Sequence, residues 1–436
     1  MKAIKVGILG LGTVGGGTAA VLQRNASEIS RRIGRVVEVT IASVRNLDSQ
    51  RLCDCSQLTL TQDPFEVVDA SDIDIVVELI GGDTLAKELV LKAISNGKHV
   101  VTANKALIAL HGNEIFAAAE ARGVSVGYES AVAGGISIIK AIREGLAGNK
   151  IELLAGIING TGNFILTEMR DKGRSFEDVL AEAQSLGYAE ADPTFDVEGI
   201  DAAHKLTILA AIAFGTPLQF EKVYTEGISK LSLTDVAYAE ELGYRIKHIG
   251  IAKNSDNGLE LRVHPTLIPE KRLIANVDGV MNAVLVKGDA VGDTLHYGAG
   301  AGAEPTASAV VADILDITRT LEASASCRVP HLGFQPQAIK SRPVKTSDQF
   351  ESAYYLRFEV NDVAGVMSKV SAKFADQNIS LEAITQKEPK VGQNFVSVIF
   401  ITQCTREGLV DQAIESIESM PDVRVDAVKI RVEHFN

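Results

Sequence analysis

Two side chains spaced four apart carry the sharpest chemical signal in this sequence. Asp201 and Lys205 lie at i and i+4 in a run of helical composition, residues 200–213, so they share one helix face. Asp201 falls in the first turn, where the helix dipole favours a carboxylate. Beyond Lys205 the run is almost wholly apolar, so the helix should be buried. A carboxylate and an ammonium at the start of a buried helix need a reason to be there. A lysine so placed is open to a shifted pKa and to proton transfer; the plainer alternative is a surface ion pair. His204 beside them reads as a core histidine or one that supports the pair. A second lysine, Lys105, follows Thr102-Ala-Asn104 at the carboxyl end of an expected strand, His99–Thr102. That edge is where open α/β sheets take their ligands. Lys105 could meet a carboxylate or a substrate there, or be a surface lysine.

Gly10-Leu-Gly12-Thr-Val-Gly15 matches G-x-G-x-x-G between an expected strand, Ile4–Leu9, and an expected helix. Gly10 permits the tight turn, Gly12 lets backbone approach a pyrophosphate, and Gly15 lets helix and strand pack closely. The N–H groups of Thr13 and Val14 would face the phosphates at the positive end of the helix. The second strand, residues 36–44, ends in Ser43-Val-Arg45-Asn46, with no carboxylate for a ribose hydroxyl and an arginine within reach of a 2′-phosphate. NADP(H) is therefore expected over NAD(H), although Arg45 could also be a solvated loop cation. A third feature is Glu129-Ser-Ala-Val132-Ala-Gly134-Gly135-Ile136. It could bind a hard monovalent cation through oxygen ligands, or serve only as a glycine hinge into a helix running to about Gly145.

These groups need elements to hold them. Apolar runs at Ile4–Leu9, 36–44, 74–78 and His99–Thr102 alternate with helical patterns at 18–32, 85–95 and 107–122. Such alternation predicts a parallel sheet covered on both faces, a Rossmann-type α/β unit. From about residue 130 the pattern becomes mixed α+β, with helices expected at 176–186 and 200–213 and strands at 150–158, 259–265 and 280–287. A glycine-rich stretch, 298–302, leads into a helix at 306–321, and residues 341–349 read as a linker around Pro343. The remainder reads β-α-β-β-α-β over 354–360, 366–377, 379–386, 395–403, 406–419 and 423–432, the split ferredoxin-like order and a separate unit. The expected division is 1–128 with about 306–330 for the cofactor, 129–305 for substrate and dimer contacts, 331–348 as linker, and 349–436 as a regulatory unit.

Composition narrows the class. The chain has 436 residues, 46% apolar and 23% charged, an ordinary globular mix of about three domains. No run approaches the roughly 18 apolar residues of a membrane span, and the N-terminus has no signal-peptide pattern. With 43 basic and 56 acidic residues the net charge is −13, and no basic run offers a nucleic-acid site. The four cysteines show no metal spacing, and Cys53-Asp-Cys55 is too tight for an easy disulfide. A cytoplasmic enzyme is expected.

The spaced residues Ala183, Gly187, Glu190, Asp192-Pro193, Asp196, Gly199, Asp201 and Lys205 closely resemble the signature of the homoserine dehydrogenase family, of the monofunctional bacterial type with a C-terminal ACT domain. Gly10–Gly15, Thr102–Lys105, the Glu129–Ile136 turn, Asn159-Gly-Thr161 and the 298–302 loop extend that resemblance across the chain. It implies reversible reduction of L-aspartate 4-semialdehyde to L-homoserine with NAD(P)H, on the way to threonine, methionine and isoleucine. It further implies that Lys205 donates the proton and that Asp201 and Glu190 bind the substrate's amino group, with Asp196 beside them. Lys105 would contact cofactor and substrate, with Thr102 in the cofactor site. Gly187 and Gly302 would close on the cofactor. Glu129, Val132, Gly134 and Ile136 would hold Na+, the last three through carbonyls. In the ACT unit, Asn361, Asp362, Gly365 and Val366 would bind an amino-acid effector such as threonine, or the unit would serve only dimerisation. A homodimer or homotetramer is expected. Gly162 departs from the resemblance, since many members carry a second threonine there.

Two enzyme readings compete. An aldehyde-oxidising enzyme of the aspartate-semialdehyde dehydrogenase kind needs a nucleophilic cysteine, and none of Cys53, Cys55, Cys327 or Cys404 is placed for it. An amino-acid oxidoreductase acting on a C–N bond is disfavoured by the Asp201/Lys205 helix. A sensor without catalysis would need an output surface that the sequence does not show.

Overall fold

A computed structural model describes residues 2–324, 327–386, 395–424 and 426–435. Strands β1 (Ile4–Leu9), β2 (Val37–Ser43), β3 (Thr59–Thr61), β4 (Ile75–Glu78), β5 (His99–Thr102) and β6 (Val126–Gly127) form the first sheet. Their order is β3-β2-β1-β4-β5-β6, and every pairing is parallel. This is the doubly wound order that places a ligand crevice at the carboxyl ends, between β1 and β4. Helices α1 (Thr13–Arg24), α2 (Ala26–Ile33), α3 (Pro64–Asp69), α4 (Thr84–Ser95) and α5 (Lys105–Arg122) connect the strands. The single helix expected at 18–32 is two, broken at Asn25, and the first begins at Thr13, immediately after the glycine turn.

The second unit holds β7 (Ile151–Ile157), β8 (Tyr224–Thr225), β9 (Tyr244–Ser255), β10 (Gly258–Pro269), β11 (Met281–Gly288) and β12 (Gly292–Ala299). Its helices are α6 (Ile138–Lys140), α7 (Gly160–Lys172), α8 (Phe176–Ser185), α9 (Thr194–Val197), α10 (Ile200–Phe214), α11 (Leu233–Glu241) and α12 (Ala303–Thr320). Helix α12 returns to the first unit. Its Ala307, Val310 and Ile314 join Ile8 of β1 and Ala19 and Leu22 of α1 in one buried cluster. The contact is close because Gly17 has no side chain: a Cβ there would lie 2.8 Å from the Ala303 carbonyl oxygen. A larger apolar cluster joins the two units, running from Leu107 and Ile115 of α5 to Leu206 and Ile208 of α10. That cluster sets the start of α5 against α10.

The helix expected from Gly134 does not begin there. The N–H groups of Gly134 and Gly135 donate to the carbonyls of Gly300 and Ala299, at 2.8 and 2.9 Å. This ties the turn to the glycine-rich 298–302 loop instead. A Cβ on Gly135 would sit 2.6 Å from the Ala299 oxygen, so only glycine allows the approach. Helical structure starts at Ile138 and widens to a π-turn over Ala141–Gly145.

The last unit contains β13 (Glu351–Asn361), α13 (Val366–Asp376), β14 (Leu381–Gln386), β15 (Phe395–Thr402), a short β16 (Thr405–Arg406), α14 (Glu407–Glu418) and β17 (Val428–Val432). The expected strand at 423–432 narrows to β17, and Val425 lies outside the described residues. This unit does not stand apart. Strand β17 pairs in parallel with β10, Thr266 opposite Arg431 and Leu267 opposite Val432. One sheet of order β12-β11-β7-β9-β10-β17-β13-β15-β14 therefore crosses both units. Its core is shared too: Ile165, Val236 and Ile246 pack with Tyr355, Ile401, Ile430 and Val432.

Candidate active site

Gly199 caps the start of α10, and its φ of +83° suits glycine. A Cβ there would press at 3.0 Å on His248, Thr225 and Val263. From Asp201 to Ala213 nearly every residue of the helix is buried, as its composition predicts. Only 3% of the Asp201 side chain is exposed, and both its oxygens are engaged. Oδ1 meets the Lys105 ammonium at 2.8 Å, across the boundary between the two units. Oδ2 accepts from Lys205 Nζ at 2.7 Å and from Asn159 Nδ2 at 2.9 Å. Lys205 Nζ also donates to the Ile158 carbonyl at 2.7 Å. The ion pair read from i,i+4 spacing is thus part of a Lys–Asp–Lys bridge on a buried carboxylate, with Lys105 at its partly exposed end.

The electrostatics follow from burial and charge. Burial alone would raise the Asp201 carboxyl, but the adjoining Lys205 and Lys105 ammoniums outweigh it and hold it well below the usual carboxylate range. Burial pushes the Lys205 ammonium down from its ordinary value, with Lys105 adding repulsion and Asp201 opposing. Burial opposes Lys105 as well, but Asp201, Asp196 and Glu190 raise it above its ordinary value. The two lysines therefore differ: Lys105 is a fixed cation, and Lys205 is the one readier to release a proton. The Lys105 ammonium also lies 5.5 Å from the centre of the Phe195 ring. His204 sits between Phe195 and Phe220, with ring centres 5.5 and 4.3 Å away, and burial lowers it to about 4. It is a neutral core histidine.

The remaining residues expected at the substrate surround this bridge. Asp196 accepts from the same Asn159 Nδ2 at 2.8 Å, and burial raises its carboxyl. Glu190 and Gly187 are exposed on the connection after α8. That connection is held by Gln184 Nε2 on the Glu190 carbonyl at 3.0 Å and by Thr161 Oγ1 on the Tyr188 carbonyl at 2.6 Å. Asn159 had no role in the sequence reading. It joins Asp196 to Asp201, and its Oδ1 caps α7 by accepting from Gly162 N at 2.7 Å. In the sequence it shows only as the first residue of the Asn159-Gly-Thr161 run that carries part of the family resemblance, directly after the expected strand at 150–158.

The glycine turn leaves the start of α1 open to a ligand. Gly10 has φ of +93°, and a Cβ on Gly15 would fall 1.9 Å from the Gly10 oxygen. At Gly12 a Cβ would meet nothing within 4 Å, so that flank is open for a ligand to approach. No side chain caps α1, so its first N–H groups, at Thr13 and Val14, remain for a phosphate. Arg45 is exposed just past β2. Gly302, with φ of +131°, opens α12. Thr102 is wholly buried, and its hydroxyl is engaged by Glu78 and by Asn104 N, so it supports the crevice from beneath.

In the 129–136 turn, the Glu129 carboxylate accepts from Ile139 N at 2.9 Å and Lys140 N at 2.8 Å. Burial raises this carboxyl to about 7. Both oxygens are thus tied to the start of α6, and the carbonyl oxygens of the turn are the further donors it offers a cation. Among the described residues the Val132 and Gly134 carbonyls accept no main-chain hydrogen bond, and no cluster of three or more His, Cys, Asp or Glu is arranged for a metal. Carbonyl oxygens suit a hard cation. In the last unit, Gly365 (φ +92°) opens α13 without a side-chain cap, Val366 is buried beneath it, and Asp362 is exposed. Asn361 is anchored by its N–H on the Asp422 carbonyl at 2.8 Å.

Three family models match this chain: "Homoserine dehydrogenase, NAD binding domain" over residues 10–129, "Homoserine dehydrogenase" over 138–315, and "ACT domain" over 354–419. The homoserine dehydrogenase of Pseudomonas aeruginosa is 61% identical, with 100% of both chains covered. A crystal structure of a homoserine dehydrogenase from Thiobacillus denitrificans superposes with a TM-score of 0.95 at 62% identity, covering 100% of this chain and 99% of the other. A hyperthermophilic archaeal homoserine dehydrogenase, solved in complex with NADPH, is 28% identical with a TM-score of 0.63, covering 74% of this chain and 98% of its own.

Proposed function

The chain belongs to the homoserine dehydrogenase family, NAD(P)-dependent oxidoreductases acting on a CH–OH group, and from that premise we propose that it reduces L-aspartate 4-semialdehyde reversibly to L-homoserine, supplying threonine, methionine and isoleucine synthesis. The observation that carries the reading is the buried Asp201 carboxylate shared between Lys105 and Lys205. When bound, the nicotinamide supplies the hydride. Lys205 stands ready to place a proton on the aldehyde oxygen as charge develops there, and Lys105 adds a second positive charge. Asp201 holds the two ammoniums at fixed positions. Glu190, exposed at the rim, offers a carboxylate to the substrate's amino group, with Asp196 and Asp201 behind it.

The cofactor is NADP(H). In support, Arg45 lies exposed past β2, no carboxylate ends that strand, and the archaeal relative binds NADPH. Gly10, Gly12, Thr13, Val14 and Gly15 would cradle its phosphates, with Gly187 and Gly302 closing on it. Carbonyls of the Glu129, Val132, Gly134 and Ile136 turn would hold a sodium ion, which would brace the hinge between the two units. The ACT unit would take an amino acid at Asn361, Asp362, Gly365 and Val366 and so give end-product control. The enzyme would work as a homo-oligomer in the cytoplasm.

The test is consumption of NADPH, and in parallel NADH, with L-aspartate 4-semialdehyde. Turnover dependent on the semialdehyde and faster with NADPH is expected; no turnover with either cofactor refutes the activity. For regulation, titration calorimetry with threonine should show binding that Asp362→Ala weakens.

A further inference from the structure

Glu78 ends β4, and none of its surface reaches solvent. A buried carboxylate is costly unless its oxygens are satisfied, and these are. Oε1 accepts from the N–H groups of Ile80 at 2.9 Å and Gly81 at 3.2 Å. Oε2 accepts from Thr102 Oγ1 at 2.6 Å, at the end of the neighbouring strand β5. Thr102 Oγ1 in turn accepts from Asn104 N at 3.0 Å. Asn104 Nδ2 donates to the Gly82 carbonyl at 2.5 Å, which closes a ring back to the loop after Glu78. Asn104 Oδ1 also caps α5 by accepting from Leu107 N at 3.0 Å, and the first residue of α5 is Lys105. The loop needs such tethers, because Gly81 and Gly82 sit at φ of +73° and +71° with no neighbour within 4 Å of a Cβ.

We propose that Glu78 is a positioning residue for the reaction: its ring through Ile80–Gly82, Thr102 and Asn104 fixes the start of α5 and so sets the Lys105 ammonium on Asp201. The inference rests on Lys105 acting at the site as read above. The same ring holds the Ile80–Gly82 loop at the carboxyl edge of the sheet, where the crevice lies. The chemistry asks for a carboxylate. Three donors converge on Glu78, and an amide in its place would turn one acceptor into a donor. Either the loop N–H groups or the Thr102 hydroxyl proton would then lose their partner.

The test is a double-mutant cycle on kcat with the full-length chain: parent, Glu78→Gln, Lys105→Met and the double variant. A displaced Lys105 should cost on the order of 10- to 100-fold in kcat. Glu78→Gln is therefore expected to lower kcat by that range in the parent and by less than about twofold in the Lys105→Met background. Thr102→Val, which removes both hydrogen bonds of Oγ1 and keeps the shape, should show the same dependence on Lys105. Equal losses in both backgrounds would overturn the proposal, as would parental kcat in Glu78→Gln or failure of both ring variants to fold. Parental kcat in Lys105→Met would instead overturn the reading of Lys105, and with it the basis of the proposal.

Discussion

At the scale of residues, the Asp201 carboxylate ties Lys105, Lys205 and Asn159 together. Asp201 and Lys205 stood out because a charged i,i+4 pair opens an otherwise apolar helix. Asn159 and Glu78 gave no comparable signal: each is one polar residue at a strand end, and its role exists only once distant segments meet it. The same holds for Asp313 on α12. It is buried, it accepts from Glu129 N at 2.8 Å, and burial beside the Glu129 carboxylate raises it to about 8. The unfolded chain gives up this proton near its ordinary value of 3.8, whereas the folded chain holds it to about 8. Stability is therefore fully present below that window and falls as pH rises across it. Glu129, raised to about 7, adds in the same sense. Asp313→Asn keeps an acceptor for Glu129 N and removes the ionisation. Its unfolding temperature should fall less steeply between about pH 4 and pH 8 than that of the parent; parallel profiles would contradict this account.

At the scale of elements, strands β1, β2, β4 and β5 of the first sheet were legible because parallel strands buried on both faces read as apolar runs, whereas the short β3, β6 and α3 were not expected. Strand β9 and helices α7 and α11 were not singled out. Strand β9 carries buried Lys247 and His248, and so breaks the apolar pattern. The glycines at 134–135 read as a helix opening but serve strand-like contact with the 298–302 loop. In the glycine turn, Gly10 and Gly15 are required by the fold, through a φ of +93° and a Cβ that would fall 1.9 Å from the Gly10 oxygen, and Gly12 is not. Gly12 has φ of −73° and open space beside it, so Gly12→Ala should leave the unligated protein within about 0.5 kcal/mol of the parent. The added methyl should nevertheless obstruct the cofactor and weaken its dissociation constant by about tenfold or more. Thermal unfolding with and without NADPH separates the two effects, and an unchanged cofactor-induced shift would contradict the assignment.

At the scale of the whole molecule, sequence suggested an appended regulatory module, and the structure joins it to the catalytic sheet. Local patterns reveal strands but not which edge of one unit continues another. The junction is polar as well as apolar. Buried Arg431 of β17 pairs with Glu407 and, at 2.8 Å, with Glu226, whose carbonyl lies 2.9 Å from His248 Nε2. His248 packs at Gly199, where α10 begins, so a continuous set of contacts runs from the ACT unit to the Asp201 helix. Removing residues 347–436 would uncover Ile165, Val236, Ile246 and their neighbours, each worth about 1.5–3 kcal/mol when buried. The truncated chain should aggregate in size-exclusion chromatography, whereas a soluble truncation with parental kcat would show the shared core to be dispensable. The Lys–Asp–Lys bridge is likewise a product of assembly, since Lys105 comes from one unit and Asp201 and Lys205 from the other. Proton delivery by Lys205 within that bridge is read out by single-turnover oxidation of bound NADPH by L-aspartate 4-semialdehyde. Lys205→Ala should bind NADPH as the parent does and slow that step by about 10²- to 10⁴-fold; a folded Lys205→Ala variant with a near-parental rate would contradict the account.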